Sequence, residues 1–287
     1  MKDIVICGKG GVGKTTLAAN IGAAMAGLGD RVLLVGCSPT ADSSHLLLNG
    51  TMPMTLASLS ATEKVTWTEP LISSGYLGIG CIEIGETAFG ENCSSKSFAV
   101  ALKKLKRVGF IADFAPDFVI YDMPGYNGCV EELLLDELGA DICLLVANAN
   151  FPSMYAANRH ITDLTASRTK CLLALVANGS VSSFEDSFVA DFAANVNVEL
   201  LAAIPRSLTV RHSELYGKTV IEAGPLSTLA CAYRVLAQHL RDRLSSQSSR
   251  TPKARPLEPH TLKAWAGEWG RRLGELEFGI MSDGSGI

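Results

Sequence analysis

Short apolar runs alternate with stretches of helical periodicity through most of the chain. Candidate strands are Ile4–Cys7, Val32–Val35, Leu77–Ile82, Phe118–Tyr121, Ile142–Val146, Leu172–Val176 and Leu200–Ile204. Several are apolar at consecutive rather than alternate positions, the pattern of parallel strands covered on both faces. Between them, helical patterns run over Thr15–Leu28, Ser97–Val108, Val130–Leu138, Tyr155–Ala166, Phe184–Val196 and Leu226–Leu244. This alternation predicts an α/β fold, a doubly wound and mainly parallel sheet flanked by helices. No internal repeat is visible. The pattern breaks at Ser245–Pro259, a polar, proline-bearing linker. Beyond it Leu262, Trp265, Trp269, Leu273 and Leu276 recur at helical spacing. They predict a short amphipathic helix that packs on its own globule or on a partner subunit. The expected organisation is a globular unit over residues 1–244, a linker over 245–259 and a helical tail over 260–287.

Composition narrows the class. The 287 residues are 47% hydrophobic, 19% charged and 7% aromatic, which excludes disorder and a coiled coil and allows a large core. Lys and Arg number 25 against 29 Asp and Glu, so no basic field suggests a nucleic-acid partner. The longest apolar runs, Ile142–Ala147 and Cys171–Ala177, are too short to span a bilayer. The tail balances its charges, so a membrane-surface helix is not expected either. The chain opens Met1-Lys2-Asp3 and enters an apolar run at once, without the pattern of a secretory leader, so a cytoplasmic location is expected. In that reducing compartment the eight cysteines point to metal or catalysis before disulfides, though most read as core residues.

The sharpest chemistry lies at the first strand's end. Gly8-Lys9-Gly10-Gly11-Val12-Gly13-Lys14-Thr15 fits G-x-x-x-x-G-K-[ST] between a strand and a helix. Glycines let backbone N–H groups converge on phosphate oxygens, and the helix N-terminus adds its positive end. Lys14 is expected to reach the β- and γ-phosphates of ATP, or the β-phosphate of ADP, and the Thr15 hydroxyl to ligate Mg²⁺, with Thr16 following in the same site. Phe118–Asp122 is an apolar strand ending in a carboxylate, and Asp122 is the expected ligand of a Mg²⁺-bound water. The loop after Val32–Val35 offers Asp42 as a carboxylate near the metal, or as a cap of its own loop. Asn178 is a candidate amide for the adenine edge, and Pro205-Arg206 a candidate cover for the base.

Two cysteines stand at predicted helix starts. Cys93 precedes Ser94-Ser95-Lys96 and a helical run; Cys129 follows Asn127-Gly128 on the segment that begins at Asp122. A helix N-terminus lowers a thiol's pKa and surrounds it with N–H donors, which suits a cluster ligand. Taken singly, each reads as a structural residue before a ligand.

The second lysine of the phosphate loop, Lys9, gives a K-G-G-V-G-K-T form. It resembles the deviant phosphate loop of the superfamily containing the nitrogenase iron protein, MinD and ParA. There the extra lysine reaches across a dimer to the partner's nucleotide. Through nearly all of residues 1–226 the chain is similar to the nitrogenase-type iron proteins. The shared residues include Gly36-Cys37-x-Pro39-x-Ala41-Asp42-Ser43, Cys81-Ile82-Glu83-x-Gly85 with Cys93, and Tyr121-Asp122 with Cys129. Met154-Tyr155-Ala156-Ala157-Asn158, Ile204-Pro205-Arg206 and Thr219-Val220-Ile221-Glu222 complete them.

The resemblance implies that Cys93 and Cys129 are cluster ligands, while Cys37 and Cys81 are not; the other six cysteines read as core or packing residues. Two thiolates per chain are half of what a 4Fe–4S cluster needs, so a homodimer sharing one cluster follows. The implied activity is that of an ATP-dependent electron-transfer reductase. MgATP binding and hydrolysis would gate single-electron transfer from a ferredoxin or flavodoxin to a nitrogenase-like two-subunit catalytic partner. The alternatives are a nucleotide-gated maturation factor delivering metal or cluster, and a positioning ATPase of the MinD/ParA type.

The chain also departs from that family. Its first switch reads Cys37-Ser38-Pro39-Thr40-Ala41-Asp42, where the nitrogenase iron protein has Cys-Asp-Pro-Lys-Ala-Asp. Tyr126 replaces the second switch's later aspartate, Lys96 replaces a docking arginine beside the cluster, and Ser207 replaces an aspartate near the base. A phenol, with an ordinary pKa of about 10, is a poor base at neutral pH. These departures bear on the rate of hydrolysis and on docking to an ordinary nitrogenase. Tetrapyrrole and methylthio-alkane reduction stay open as final reactions, and nitrogen fixation is disfavoured.

Overall fold

A computed structural model describes residues 1–56, 72–85, 110–125, 139–166, 171–245 and 253–279. The strands are β1 (Lys2–Cys7), β2 (Val32–Gly36), β3 (Ser73–Ser74), β4 (Gly80–Glu83), β5 (Phe118–Asp122), β6 (Ile142–Ala147), β7 (Leu172–Ser180) and β8 (Glu199–Pro205). They form one sheet in the order β3-β4-β2-β5-β1-β6-β7-β8, parallel throughout except for the short β3. The consecutive apolar runs have their expected cause. Val5 and Cys7 of β1 face one buried layer and Ile4 and Ile6 the other, and both layers are closed by helices.

The described helices are α1 (Lys14–Gly27), α2 (Phe110–Phe114), α3 (Phe151–Ala166), α4 (Ser183–Asn195), α5 (Leu208–Leu215), α6 (Val220–Ala223), α7 (Thr228–Ser245) and α8 (Pro259–Phe278). On one face α1 packs against α7; Leu17, Ile21 and Met25 meet Tyr233, Leu236 and Leu240 in one buried cluster. On the other, α3 and α4 contribute Met154, Ile161, Val189 and Phe192.

Several boundaries differ from the periodicity. Leu77–Ile82 is not one strand: Tyr76–Gly78 forms a 3₁₀ turn with Leu77 at φ 52°, and the strand starts at Gly80. Helix α3 starts before Tyr155 because Asn150 caps it, its Oδ1 accepting from Ser153 N at 3.0 Å. The short α5 and α6, capped by Ser207 and Thr219, carry too little periodicity to be read alone. The predicted helices at Ser97–Val108 and Val130–Leu138 lie outside the described residues.

Residues 253–258 of the predicted linker are tied down rather than loose. Arg255 N donates to Val196 O at 2.8 Å, and Leu257 exchanges two hydrogen bonds with the Asn158 side chain. They lead into α8, where Trp265 and Trp269 pack on Phe184, Phe188 and Phe192 and both indole N–H groups donate to Asp191, at 2.7 and 2.8 Å. Leu273 and Leu276 continue the helical spacing but are exposed. Of the cysteines, Cys7, Cys37, Cys81 and Cys143 are buried and Cys171 is half-buried. Cys231 corrects the expectation of packing: it lies exposed on α7.

Candidate nucleotide site

The site gathers at the carboxyl ends of the central strands, where the order turns at β1 between β5 and β6. The loop leaving β1 is held by glycine geometry. Gly8 has φ 145° and Gly13 φ 89°, and a Cβ at either would overlap a neighbour: the Val146 carbonyl at Gly8, the Asn178 amide at Gly13. The Lys14 ammonium lies beneath the loop and donates to Gly8 O at 3.0 Å and Lys9 O at 3.1 Å. Lys9 itself points to the surface.

Asp122 ends β5 directly beside this loop. Its Oδ2 accepts from Thr15 Oγ1 at 2.6 Å and Ser43 Oγ at 2.7 Å. Its Oδ1 is buried and has no hydrogen-bond partner among the described residues. Burial raises the Asp122 pKa, while the Thr15 and Ser43 hydroxyls and the Lys14 charge pull it back. The chain then crosses the loop tip, so close that a Cβ on Gly125 would lie 3.0 Å from Gly10 Cα. An anion cradle of backbone N–H groups, a hydroxyl and an unpartnered carboxylate oxygen fit a magnesium-bound nucleotide.

In the first switch loop Asp42 takes the second of its two expected places. The Asp42 carboxylate accepts from Thr40 Oγ1 at 2.6 Å, and that hydroxyl lies 2.7 Å from Ser38 Oγ. Asp42 therefore caps its own loop here. Ser43, to which the sequence motif assigned no role, is the residue that meets Asp122. A left-handed turn at Ala41, φ 53°, precedes it.

The remaining candidates surround the loop. Asn178 Nδ2 donates to Val12 O at 2.7 Å, so the amide braces the phosphate loop. Pro205 ends β8, and Arg206 N donates to Ser180 O at 2.8 Å, leaving the Arg206 side chain exposed. Ser207 caps α5 by accepting from Thr209 N at 3.1 Å; serine and aspartate serve equally well at such a position. Thr16 Oγ1 donates to Glu214 Oε1 at 2.9 Å, joining the start of α1 to α5. Nothing local to Glu214 signals this contact. Lys9, Gly10 and Gly125 also border an open groove of about 740 Å³ lined by Phe151, Tyr155 and Arg159. Cys93, Lys96, Tyr126 and Cys129 lie outside the described residues.

A family profile described as "4Fe-4S iron sulfur cluster binding proteins, NifH/frxC family" matches residues 2–269. The chain is 34% identical over 286 residues to nitrogenase iron protein 2 of Paenibacillus durus, covering 98% of this chain and 96% of that protein. The chain belongs to the NifH/frxC family. Nitrogenase iron protein 2 of Methanothermobacter thermautotrophicus is 35% identical over 241 residues, 84% of this chain and 89% of that one. Among solved structures, the cell division ATPase MinD of Pyrococcus furiosus superposes with a TM-score of 0.67 at 23% identity, over 84% of this chain and 99% of its own. MinD of Pyrococcus horikoshii, solved with Mg-ADP, gives 0.68 at 22%, over 85% and 97%. These two likenesses speak for the fold alone.

Membership of the NifH/frxC family supports an ATP-dependent, reductase-type function with a 4Fe–4S cluster and MgATP. Among the described residues no group of three or more His, Cys, Asp or Glu is placed to hold a metal ion. Three of the described thiols suit a ligand role poorly: burial pushes Cys37 well above its ordinary pKa, Cys81 to about 12 and Cys171 to about 11. Nor is any helix among the described residues long and apolar enough to cross a membrane.

Proposed function

We propose that the chain is the ATP-hydrolysing electron-transfer component of a nitrogenase-like reductase, working as a homodimer with one 4Fe–4S cluster held by Cys93 and Cys129 of each copy. The observation that carries this reading is the setting of Asp122: hydrogen-bonded to Thr15 and Ser43, one oxygen unpartnered, on the segment that continues to Cys129. The backbone N–H groups of Gly8–Gly13 bind phosphate oxygens, and Lys14 leaves the loop carbonyls to neutralise the β- and γ-phosphates. Thr15 would ligate the magnesium ion and Asp122 Oδ1 would accept from one of its waters. Asn178, Pro205 and Arg206 border the base, and Asp42 serves the switch from its capped position.

The cluster supplies one-electron redox chemistry when bound, received from a ferredoxin or flavodoxin and passed to a two-subunit partner. Lys9, exposed beside an apolar groove, serves the nucleotide of a second copy. The bonding of Ser38 and Thr40 with Asp42, and Tyr126 in place of an aspartate, favour slow hydrolysis.

The test is anaerobic purification followed by iron analysis and EPR of the dithionite-reduced protein, with and without MgATP. About four irons per dimer and a nucleotide-sensitive signal are expected. Cys93→Ser and Cys129→Ser should each abolish the signal. A metal-free dimer that binds ATP overturns the proposal in favour of a positioning ATPase. A cluster that leaves for an acceptor apo-protein, without electron delivery, overturns it in favour of a maturation factor.

A further inference from the structure

Glu83 is a buried carboxyl group to which the nucleotide chemistry above gives no task. It ends β4 with no exposed surface, and its Oε1 accepts two hydrogen bonds from one residue, Ser44 N at 2.7 Å and Ser44 Oγ at 2.6 Å. Its Oε2 has no hydrogen-bond partner among the described residues and lies against Gly36, where a Cβ would overlap it. Asp42 and Asp122 are near enough to repel it. An apolar side chain of the same size would fill this place at lower cost, because a buried carboxylate flanked by like charges loses hydration and gains repulsion.

The contacts on either side give that carboxylate a position in a chain of bonds. Ser44 adjoins Ser43, whose hydroxyl donates to Asp122 Oδ2, the same oxygen that accepts from Thr15. A continuous path therefore runs from the start of α1 through Asp122, Ser43 and Ser44 to the last residue of β4. Beyond Glu83 the ladder continues for one bond, Ile84 N to Gly36 O at 2.9 Å, and Thr55 pairs with Glu83 from the other side. The chain then enters the stretch that contains Cys93. Gripping both the N–H and the O–H of Ser44 fixes that residue's backbone and its rotamer together. A displacement of Ser43 by events at Asp122 is thus delivered to the end of β4.

We propose that Glu83 is a positioning residue that clamps the Ser43–Ser44 pair against Asp122 and couples the nucleotide site to the segment leading to Cys93. The destination of the coupling rests on the reading of Cys93 as a cluster ligand; the clamp itself does not. This path diverges at Asp122 from the one that follows the chain to Cys129, so the two arms would reach both cysteines.

The test uses the full chain purified anaerobically, in Glu83→Leu, Glu83→Gln and Ser44→Ala forms. The readouts are kcat and KM for ATP hydrolysis, and MgATP-dependent hydrogen exchange in peptides covering residues 86–100. Glu83→Leu should lower kcat by about ten- to a hundredfold, the size of losing hydrogen bonds to a charged acceptor, with KM within about threefold because Lys14 and the phosphate loop are untouched. It should also abolish the exchange response at 86–100. Glu83→Gln keeps an acceptor for both Ser44 bonds and should rescue most of both readouts. Ser44→Ala removes one donor, should give an intermediate loss, and serves alone if Glu83→Leu does not fold.

An exchange response in Glu83→Leu equal to wild type overturns the coupling. So does a Glu83→Gln variant as impaired as Glu83→Leu. Iron content of the wild type separates the two ideas: absence of iron overturns the cluster reading, while the clamp is still judged by the kcat and exchange differences.

Discussion

The Glu83 carboxyl gives a pH dependence whose sign and size follow from its surroundings. Burial pushes its pKa from an ordinary 4.5 to about 7, against the opposing pull of the two Ser44 hydrogen bonds. Below about pH 4.5 the folded and unfolded chains both hold the proton. Between 4.5 and 7 the folded chain holds it and the unfolded chain does not, so unfolding releases a proton and stability falls as pH rises. Above 7 both are ionised and the loss is complete. At about 1.4 kcal/mol per unit, the span amounts to about 3 kcal/mol, a sizeable share of the roughly 5–15 kcal/mol that holds a typical domain. Glu83→Gln cannot ionise and lacks this slope. Asp122, also pushed up by burial, titrates in both proteins and largely cancels in the difference. The assay is urea denaturation followed by far-UV circular dichroism, nucleotide-free and at one protein concentration, at pH 5, 6, 7 and 8. The variant should gain about 2–3 kcal/mol on wild type between pH 5 and pH 8. Parallel losses in the two proteins would refute the reasoning, since the carboxyl would then ionise as easily folded as unfolded.

Gly13→Ala forces a side chain into a left-handed conformation and against the Asn178 amide, at a cost of about 2–3 kcal/mol. Affinity for a fluorescent ATP analogue should drop at least tenfold; wild-type binding would show that the loop tolerates a Cβ. Asp191→Ala leaves the Trp265 and Trp269 indoles without their acceptor and should weaken the docking of α8 by about 2–4 kcal/mol. Trypsin should then cleave faster around Lys253–Lys263 with ATP binding unchanged, and an unaltered cleavage rate would count against the staple. Restoring the acidic and basic switch groups with Ser38→Asp, Thr40→Lys and Tyr126→Asp should raise ATP hydrolysis on the order of tenfold, read by phosphate release. No gain would mean these substitutions do not limit the rate.

Much of the architecture was legible because its causes are local. A strand covered on both faces has to be apolar at successive positions, so the runs at β1, β2, β5, β6 and the middle of β7 announce themselves. Leu77 misled the pattern: it continues the apolar run but turns left-handed and stays exposed, ahead of the strand proper. The phosphate loop is equally plain, since converging N–H groups require glycines at set spacings, and the two crowded glycines obey that need. Helix α3 started early for a reason also present in the sequence, the capping Asn150, which periodicity alone does not register.

What the amino-acid order determined by itself is therefore the layered sheet, the nucleotide loop and the carboxylate Asp122. Tertiary structure decided which oxygens meet. Asp42 and Ser43 are adjacent and equally plausible on paper; a left-handed turn at Ala41 and the Glu83 grip on Ser44 send Ser43 to Asp122 and Asp42 to Thr40. Glu83, Glu214 and Asp191 find their partners across long stretches of sequence, and no local pattern records such contacts. Backbone geometry and burial are encoded within a few residues, whereas a hydrogen bond between distant side chains exists only once packing has set the distance between them.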